Sequence, residues 1–223
     1  MLNRINTFRW QSITETLLNA LKRFPVAATA TIGLCISLLL LVNLPYEQLK
    51  GSILYEPSYW YVWVGALPLA ASIVLCFENR LNPTIRHSVS LLAVLLWSLY
   101  GYISNDTPEH FFGALAFIAP IVTFFSSLFW VAFLKKDTDT SFWNFSYLLC
   151  IQILTGLLFA SVLAAGLSLA LFSTDTLFGC EFKSEMYSNI HVLCYTLFFP
   201  FYLLGNIPIA SITETKVHSF AQA

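Results

Sequence analysis

The sequence predicts an all-α integral membrane protein, a helical bundle of about six transmembrane helices with an interfacial amphipathic helix at its N-terminus. Charged residues form only 10% of the 223 residues, hydrophobic residues form 57%, and the mean hydropathy is +0.72. A soluble domain carries about 25% charged residues, so this composition indicates an exterior that largely faces lipid. Two further observations agree: uncharged runs long enough to cross about 30 Å of hydrocarbon recur, and basic residues fall in alternate connections.

Residues 1–25 are predicted to form a cytoplasmic amphipathic segment. Its apolar side chains recur at helical spacing: Trp10, Ile13, Leu17, Leu18 and Leu21. Polar residues occupy the other side of such a helix, a pattern typical of a helix that lies in the membrane interface. The apolar run that follows is too long for a signal peptide and lacks a small-residue cleavage site, so we interpret it as a retained anchor.

Six apolar runs define a predicted transmembrane domain over residues 26–211, followed by a cytoplasmic tail, 212–223. The runs are 26–44, 59–77, 88–103, 111–134, 145–172 and 187–210. A helix needs about 20 residues to cross the hydrocarbon, so the third run is short and the fifth is long enough to require a tilt.

Basic residues predict the orientation of these runs. Nine of the 11 Lys and Arg residues lie in the N-terminal segment, in alternate connections or in the tail: Arg4, Arg9, Lys22, Arg23, Arg80, Arg86, Lys135, Lys136 and Lys216. The other connections contain only Lys50 and Lys183. Because cytoplasmic connections collect Lys and Arg, both termini are predicted to be cytoplasmic.

The fifth run carries a stripe of small or polar residues at intervals of four. Its members are Gln152, Gly156, Ala160, Ala164 and Ser168. Lipid tails are as apolar as Leu, so membrane helices associate through close backbone approach and a few hydrogen bonds, which such a stripe supplies. The stripe predicts helix packing within one chain, or alternatively the contact surface of a homo-oligomer.

Three residues predict an irregular last helix. Pro200 removes a backbone donor within the sixth run, and Gly205 and Pro208 mark its end. Such a kink fits a bundle together or borders a cavity, and both interpretations stay open.

The search for chemistry finds little. All charged residues fall outside the six runs or at their edges, so the usual signature of an ion or proton pathway is missing. Polar residues predicted on the outer side allow a metal or acid–base site, although an interfacial histidine bonded to a neighbouring loop is the favoured interpretation. These residues are His191, Glu181, Glu185, Glu109 and His110. The five cysteines lack metal-type spacing, and we predict no metal, no cofactor and no catalytic residue.

One set of short motifs extends over most of the chain. It consists of 21–25 (LKRFP) before the first run, of Phe142, Trp143 and Phe145 before a long apolar helix, of 177–179 (LFG) after it, and of Gly205 with Pro208. By these motifs the chain resembles the bacterial membrane family known as domain of unknown function 4153. Family members commonly have Asn at the position of Ser146. The resemblance implies a multi-pass protein of the bacterial inner membrane with no catalytic residues to transfer. Members are longer, so it also implies a short member, a split gene or a fragment.

Three functions follow as hypotheses. The leading one is a structural or accessory membrane component, because the runs offer packing devices and no charged pathway. The second is a transporter or channel-like carrier of a weakly polar or amphiphilic substrate, and the third and weakest is a membrane enzyme that uses His191. The expected partners are the lipid bilayer and another copy or another membrane protein, but not nucleic acid, because the net charge is −1 and basic residues are not clustered.

Overall fold

The structure is a computed structural model that describes residues 14, 15, 17–50, 52, 57–78, 80–104, 110–131 and 139–208. Within these residues all regular structure is helical, as predicted. After a helical segment at 17–23, the helices are α1 (Pro25–Asn43), α2 (Tyr46–Leu49), α3 (Pro57–Phe77), α4 (Pro83–Ile103), α5 (His110–Trp130), α6 (Asp139–Phe178), α7 (Ser184–Val192), a π-helix (Leu193–Phe198) and α8 (Phe199–Asn206).

Proline and glycine explain several helix ends. Pro25 and Pro83 occupy the first turns of α1 and α4, where the missing N–H costs no intrahelical hydrogen bond. Gly179 follows α6 with φ 60°, and its N–H bonds to the carbonyl of Asp175 at 2.8 Å. This left-handed cap ends the longest helix, since glycine enters that region without steric cost.

Four helices among the described residues are long and apolar enough to cross a membrane, fewer than the predicted six. They span Pro25–Asn43, Tyr59–Phe77, Phe142–Phe178 and Ser184–Asn206. The third predicted run is not among them. Its helix begins at Pro83, and the polar first turns around Arg86 and His87 make that helix less apolar. In the fourth, the described apolar stretch is the shorter Leu115–Trp130.

The helix bounds also differ from the predicted runs. Helix α6 has 40 residues, about 60 Å at 1.5 Å per residue, and exceeds 145–172 at both ends. The last helix starts at Ser184 and ends at Asn206, and a π-helical turn interrupts it. In the N-terminal segment, Leu17, Leu18 and Leu21 are exposed. Trp10 and Ile13 lie outside the described residues, as do Glu109 and the predicted tail.

The helices form two groups. In the first, which we call the N-terminal bundle, α3 packs against α1, α4 and α5. In the second, the C-terminal hairpin, α6 packs against α7, the π-helix and α8. Helix α1 contacts both groups and joins them.

An apolar cluster joins the two groups near the start of α1. Phe24, Val74, Phe145, Leu149 and Leu204 are each almost fully buried in it, and they come from the start of α1, from α3, from α6 and from α8. A second, smaller cluster around Trp97 lies within the N-terminal bundle. The main core therefore lies at one end of the molecule.

Polar contacts mark both ends. Asn43 at the end of α1 exchanges side-chain hydrogen bonds with Asn189 of α7, at 2.8 and 3.0 Å. At the opposite end, Arg23 contacts the ends of α3 and α8. We call these the Asn43 end and the Arg23 end of the molecule.

Candidate functional site

The strongest polar contact among the described residues surrounds Arg23. Its Nε donates to Glu78 Oε1 at 2.6 Å, and its Nη2 donates to Glu78 Oε2 at 2.8 Å. The two parallel bonds form the bidentate geometry in which a guanidinium and a carboxylate bind most strongly. We call this contact and the two carbonyls that Arg23 also binds the Arg23 clamp.

The clamp also holds the end of α8. Arg23 Nη1 donates to the carbonyl of Ile207, and Nη2 donates to that of Pro208 at 3.1 Å. Carbonyls at a helix C-terminus lack intrahelical partners, and a cationic side chain satisfies them well. Because a guanidinium has five N–H donors and four bonds are made here, little capacity is left for a ligand. The geometry therefore favours a structural role for Arg23.

The sequence analysis did not predict the Arg23 clamp. Arg23 and Glu78 are separated by 55 positions, and no local pattern connects them. The available signal was the position of Glu78 immediately after an apolar run, on the side where basic residues collect.

The small-residue stripe lies against the other arm of the C-terminal hairpin. Ala160 and Ala164 are buried, and a Cβ built on Gly156 would lie 2.8 Å from Cδ1 of Tyr202. Gln152 accepts a long hydrogen bond of 3.4 Å from the Tyr202 hydroxyl. The structure thus places Gln152 and Gly156 at one contact with Tyr202 within the chain, and a larger residue at position 156 would have to displace the Tyr202 ring.

Ser168 is the last member of the predicted stripe. Its Oγ is buried and has no hydrogen-bond partner among the described residues. Two turns earlier in the same helix, Ser161 pairs with the Tyr195 hydroxyl at 2.9 Å. The hairpin contact is therefore joined by hydrogen bonds at Gln152 and Ser161 and by apolar contact between them.

Pro200 lies where the last helix changes geometry. The turn before it, Leu193–Phe198, is π-helical, and the Phe199 N–H reaches back five residues to the Cys194 carbonyl. A proline ring collides with the carbonyl four residues earlier and leaves it without a donor, and a widened turn relieves this conflict. Gly205 lies in the last turn of α8 and Pro208 follows it, at the Arg23 clamp.

Two further prolines, which sequence analysis did not single out, lie inside helices: Pro68 in α3 and Pro120 in α5. Pro120 cannot donate to the Ala116 carbonyl, and the Tyr100 hydroxyl of α4 donates to that carbonyl instead, at 3.2 Å. A broken helical hydrogen bond is thus replaced by one between helices.

The predicted polar cluster is not assembled among the described residues. His191 is exposed, its Nδ1 lies 2.9 Å from the Tyr187 carbonyl one turn earlier, and its ring stacks on Tyr195. Glu181 and Glu185 are exposed. His110 begins α5, and Glu109 lies outside the described residues. The described part of the chain contains no group of three or more His, Cys, Asp or Glu residues suited to a metal ion.

Comparison of the chain with protein-family models, curated proteins and solved structures finds no match. The resemblance to domain of unknown function 4153 therefore stays a prediction. The site must be interpreted from its own geometry.

Arg86 corrects one sequence interpretation. The sequence predicts Arg86 in a cytoplasmic connection, but it lies in α4 and is only 8% exposed. The helix begins at Pro83, one turn before the apolar run, and carries Arg86 into contact with the bundle. Next to it, burial and the positive charge of Arg86 lower the pKa of His87 below its ordinary value.

Proposed function

We propose that this chain is a multi-pass protein of the bacterial inner membrane with a structural or accessory role. The observation that carries the proposal is the use of polar groups within the apolar helices. Ser37 bonds to Tyr59 at 2.7 Å between α1 and α3, and Ser127 bonds to Ser72 at 2.7 Å between α5 and α3. These groups hold helices together, whereas a pathway for ions or polar solutes needs them to face a cavity.

The helix register supports a membrane position for α4 beside α3. Trp97 Nε1 donates to the Val62 carbonyl at 3.0 Å, and Ser90 Oγ donates to the Ala70 carbonyl at 3.3 Å. Helix α4 therefore runs antiparallel to α3 along its apolar length, and the two share one depth. Helix α5 follows α3 in parallel, since Tyr61 stacks on Phe117 and Ser72 bonds to Ser127. Six crossings, with both termini on the basic, cytoplasmic side, follow from this proposal.

Cys180 tests the orientation. It is exposed in the connection between α6 and α7, which the proposal puts outside the cytoplasm. A membrane-impermeant maleimide should label the wild type in intact spheroplasts, and Cys180→Ser should remove that labelling. Labelling of Cys180 only in inverted vesicles would contradict the orientation.

Photo-crosslinking tests the accessory role. Leu158 of α6 is 59% exposed, whereas Ala160, two residues later, is fully buried. A photoreactive residue at 158 should give an adduct with another membrane protein in native membranes, and one at 160 should crosslink only within the chain. An adduct of twice the chain mass would assign the face to a homo-oligomer, and adducts with lipid alone would contradict the accessory role.

The π-helix before Pro200 favours a second candidate, a carrier of an amphiphilic substrate, because π-helical turns are frequent at functional sites. Reconstituted liposomes distinguish the two. Uptake of a fluorescent amphiphile above the rate of protein-free liposomes, lowered by Pro200→Ala, would favour the carrier over the accessory protein.

We also propose membership of the family named domain of unknown function 4153. The motif residues 177–179 support it, because they form the end of α6 and its left-handed glycine cap. A homologue that aligns over both halves of this chain would test the proposal.

A further inference from the structure

Arg86 is a buried cation without a described counter-ion. It is 8% exposed, its Nε is buried without a hydrogen-bond partner, and the ion pair found among the described residues belongs to Arg23 and Glu78 instead. Removal of a guanidinium from water is costly unless an anion and hydrogen bonds replace the lost hydration. Among the described residues, no group compensates this buried charge.

The start of α4 adds to the positive potential. Its N-cap residue Asn82 makes no side-chain capping bond, and its first turn contains no acidic residue. The first amides of a helix lack intrahelical acceptors and carry the positive end of the helix dipole, which disfavours a cation and favours an anion. Arg86 is the fourth residue of α4 and therefore belongs to the same first turn as these amides.

His87, the residue after Arg86, also carries a buried polar atom without a described partner. Its Nδ1 is also buried and has no hydrogen-bond partner among the described residues. Burial, and after it the positive charge of Arg86, lowers the pKa of His87 below its ordinary value. A single anion at the start of α4 would relieve the uncompensated guanidinium, the uncapped amides and the neighbouring histidine together.

We propose that the N-terminus of α4 and Arg86 form a binding site for an anionic phosphate group. Phosphate offers several acceptor oxygens, which match the fork of a guanidinium and the free amides of a helix start. The group comes from an anionic phospholipid headgroup or from free phosphate, which share this chemistry. The site lies near the Arg23 end, since α4 follows α3 after the short connection that begins at Glu78. It is independent of the accessory role proposed above.

The test uses the full chain purified in dodecyl maltoside, with the midpoint of thermal unfolding as the measurement. The probes are dioleoyl phosphatidylglycerol, dioleoyl phosphatidylcholine with the same tails, and sodium phosphate against sodium chloride at equal ionic strength. Phosphatidylglycerol or phosphate should raise the midpoint of the wild type, and phosphatidylcholine and chloride should not. A response to phosphatidylglycerol alone assigns a lipid headgroup, and a response to inorganic phosphate assigns a free anion.

Two arginines provide a matched pair. Arg86→Gln should weaken the apparent affinity for the active probe about tenfold to a hundredfold, as expected for the loss of charge-assisted hydrogen bonds. Arg80→Gln removes the same charge from an exposed position in the adjacent connection and should leave the affinity unchanged. Equal losses in both variants would mean general surface attraction and would overturn the proposal.

Arg86→Met keeps the test decisive if Arg86→Gln does not fold. Without an anion, this variant should unfold at a higher temperature than the wild type, because it removes an uncompensated buried charge. Addition of the probe to which the wild type responds should then raise the wild-type midpoint above that of Arg86→Met. A lower midpoint of Arg86→Met in anion-free detergent would mean that the chain itself neutralises Arg86, and it would overturn the proposal, as would a wild type indifferent to every anion.

Discussion

The N-terminal bundle and the C-terminal hairpin differ in how many helices surround their central helix. In the bundle, 44% of the central span of α3 is buried, whereas in the hairpin only 22% of the span of α6 is buried. Helix α3 has α1, α4 and α5 around it, but α6 depends mainly on a single partner arm. The contrast indicates that a disturbance inside the bundle has fewer ways to relax than one at the hairpin contact.

Aromatic rings show the same difference locally. In the bundle, the indole of Trp97 lies between Phe117 and Phe124, in edge contacts of 6.1 and 5.2 Å, and it covers Gly65. In the hairpin, Tyr202 covers Gly156 and contacts Phe159, whose ring is 48% exposed. A ring enclosed on several sides has less space to move than a ring at an open edge.

The largest effect is expected where the two groups join. Arg23→Met keeps an apolar stem but leaves the half-buried Glu78 carboxylate and the Ile207 and Pro208 carbonyls without their donor. Removal of one partner from a largely desolvated pair is strongly destabilising, so we expect a loss of about 3–5 kcal/mol. The measurement is the free energy of unfolding in detergent.

Arg80→Met is the control for the clamp, because Arg80 is exposed and close to Glu78 in sequence. It should change stability by less than about 0.5 kcal/mol. The double variant Arg23→Met with Glu78→Met should lose less than the sum of the single variants, since neither charge is then left unpaired. Equal stability of Arg23→Met and Arg80→Met would show that the clamp does not hold the groups together.

The second-largest loss of stability is expected beside the enclosed indole of Trp97. A Cβ at position 65 would lie 2.7 Å from Trp97 Nε1, so Gly65→Leu must push the indole away from the Val62 carbonyl that it bonds at 3.0 Å. Overpacking and the lost hydrogen bond together should cost about 2–4 kcal/mol. Tryptophan fluorescence should shift at the same time, whereas an unchanged thermal midpoint would contradict the tight enclosure of Trp97.

A smaller loss is expected for the same change at the open ring. Gly156→Leu should cost about 1–3 kcal/mol, because Tyr202 is half-buried and less enclosed than Trp97. Gly166 of the same helix has nothing within 4 Å of a built Cβ and is exposed, so Gly166→Leu should be neutral or slightly stabilising. If Gly156→Leu costs as much stability as Gly65→Leu, the inference that rings are enclosed more tightly in the N-terminal bundle than in the C-terminal hairpin is wrong.

The sequence predicted the helical class and most of the helix positions because uncharged runs of about 20 residues have few other solutions. It could not predict the burial of Arg86, since charge alone suggests a solvated position and the start of α4 at Pro83 was not recognised. The Arg23–Glu78 contact depends on tertiary structure across 55 positions. An irregularity at Pro200 was predicted, but its π-helical form was not, because a simple kink is another way to relieve the proline conflict.

The smallest effect tests how the bundle accommodates a proline. Tyr100→Phe removes the hydroxyl that satisfies the Ala116 carbonyl, which Pro120 leaves without a helical donor, and should cost about 0.5–1.5 kcal/mol. In a Pro120→Ala background the residue-120 amide can take over that carbonyl, so Tyr100→Phe should then cost much less. A double-mutant cycle of unfolding free energies measures this coupling. An equal cost in both backgrounds would mean that the Tyr100 hydroxyl acts independently of the break at Pro120, and the interhelical bond would then not be a repair of the helix.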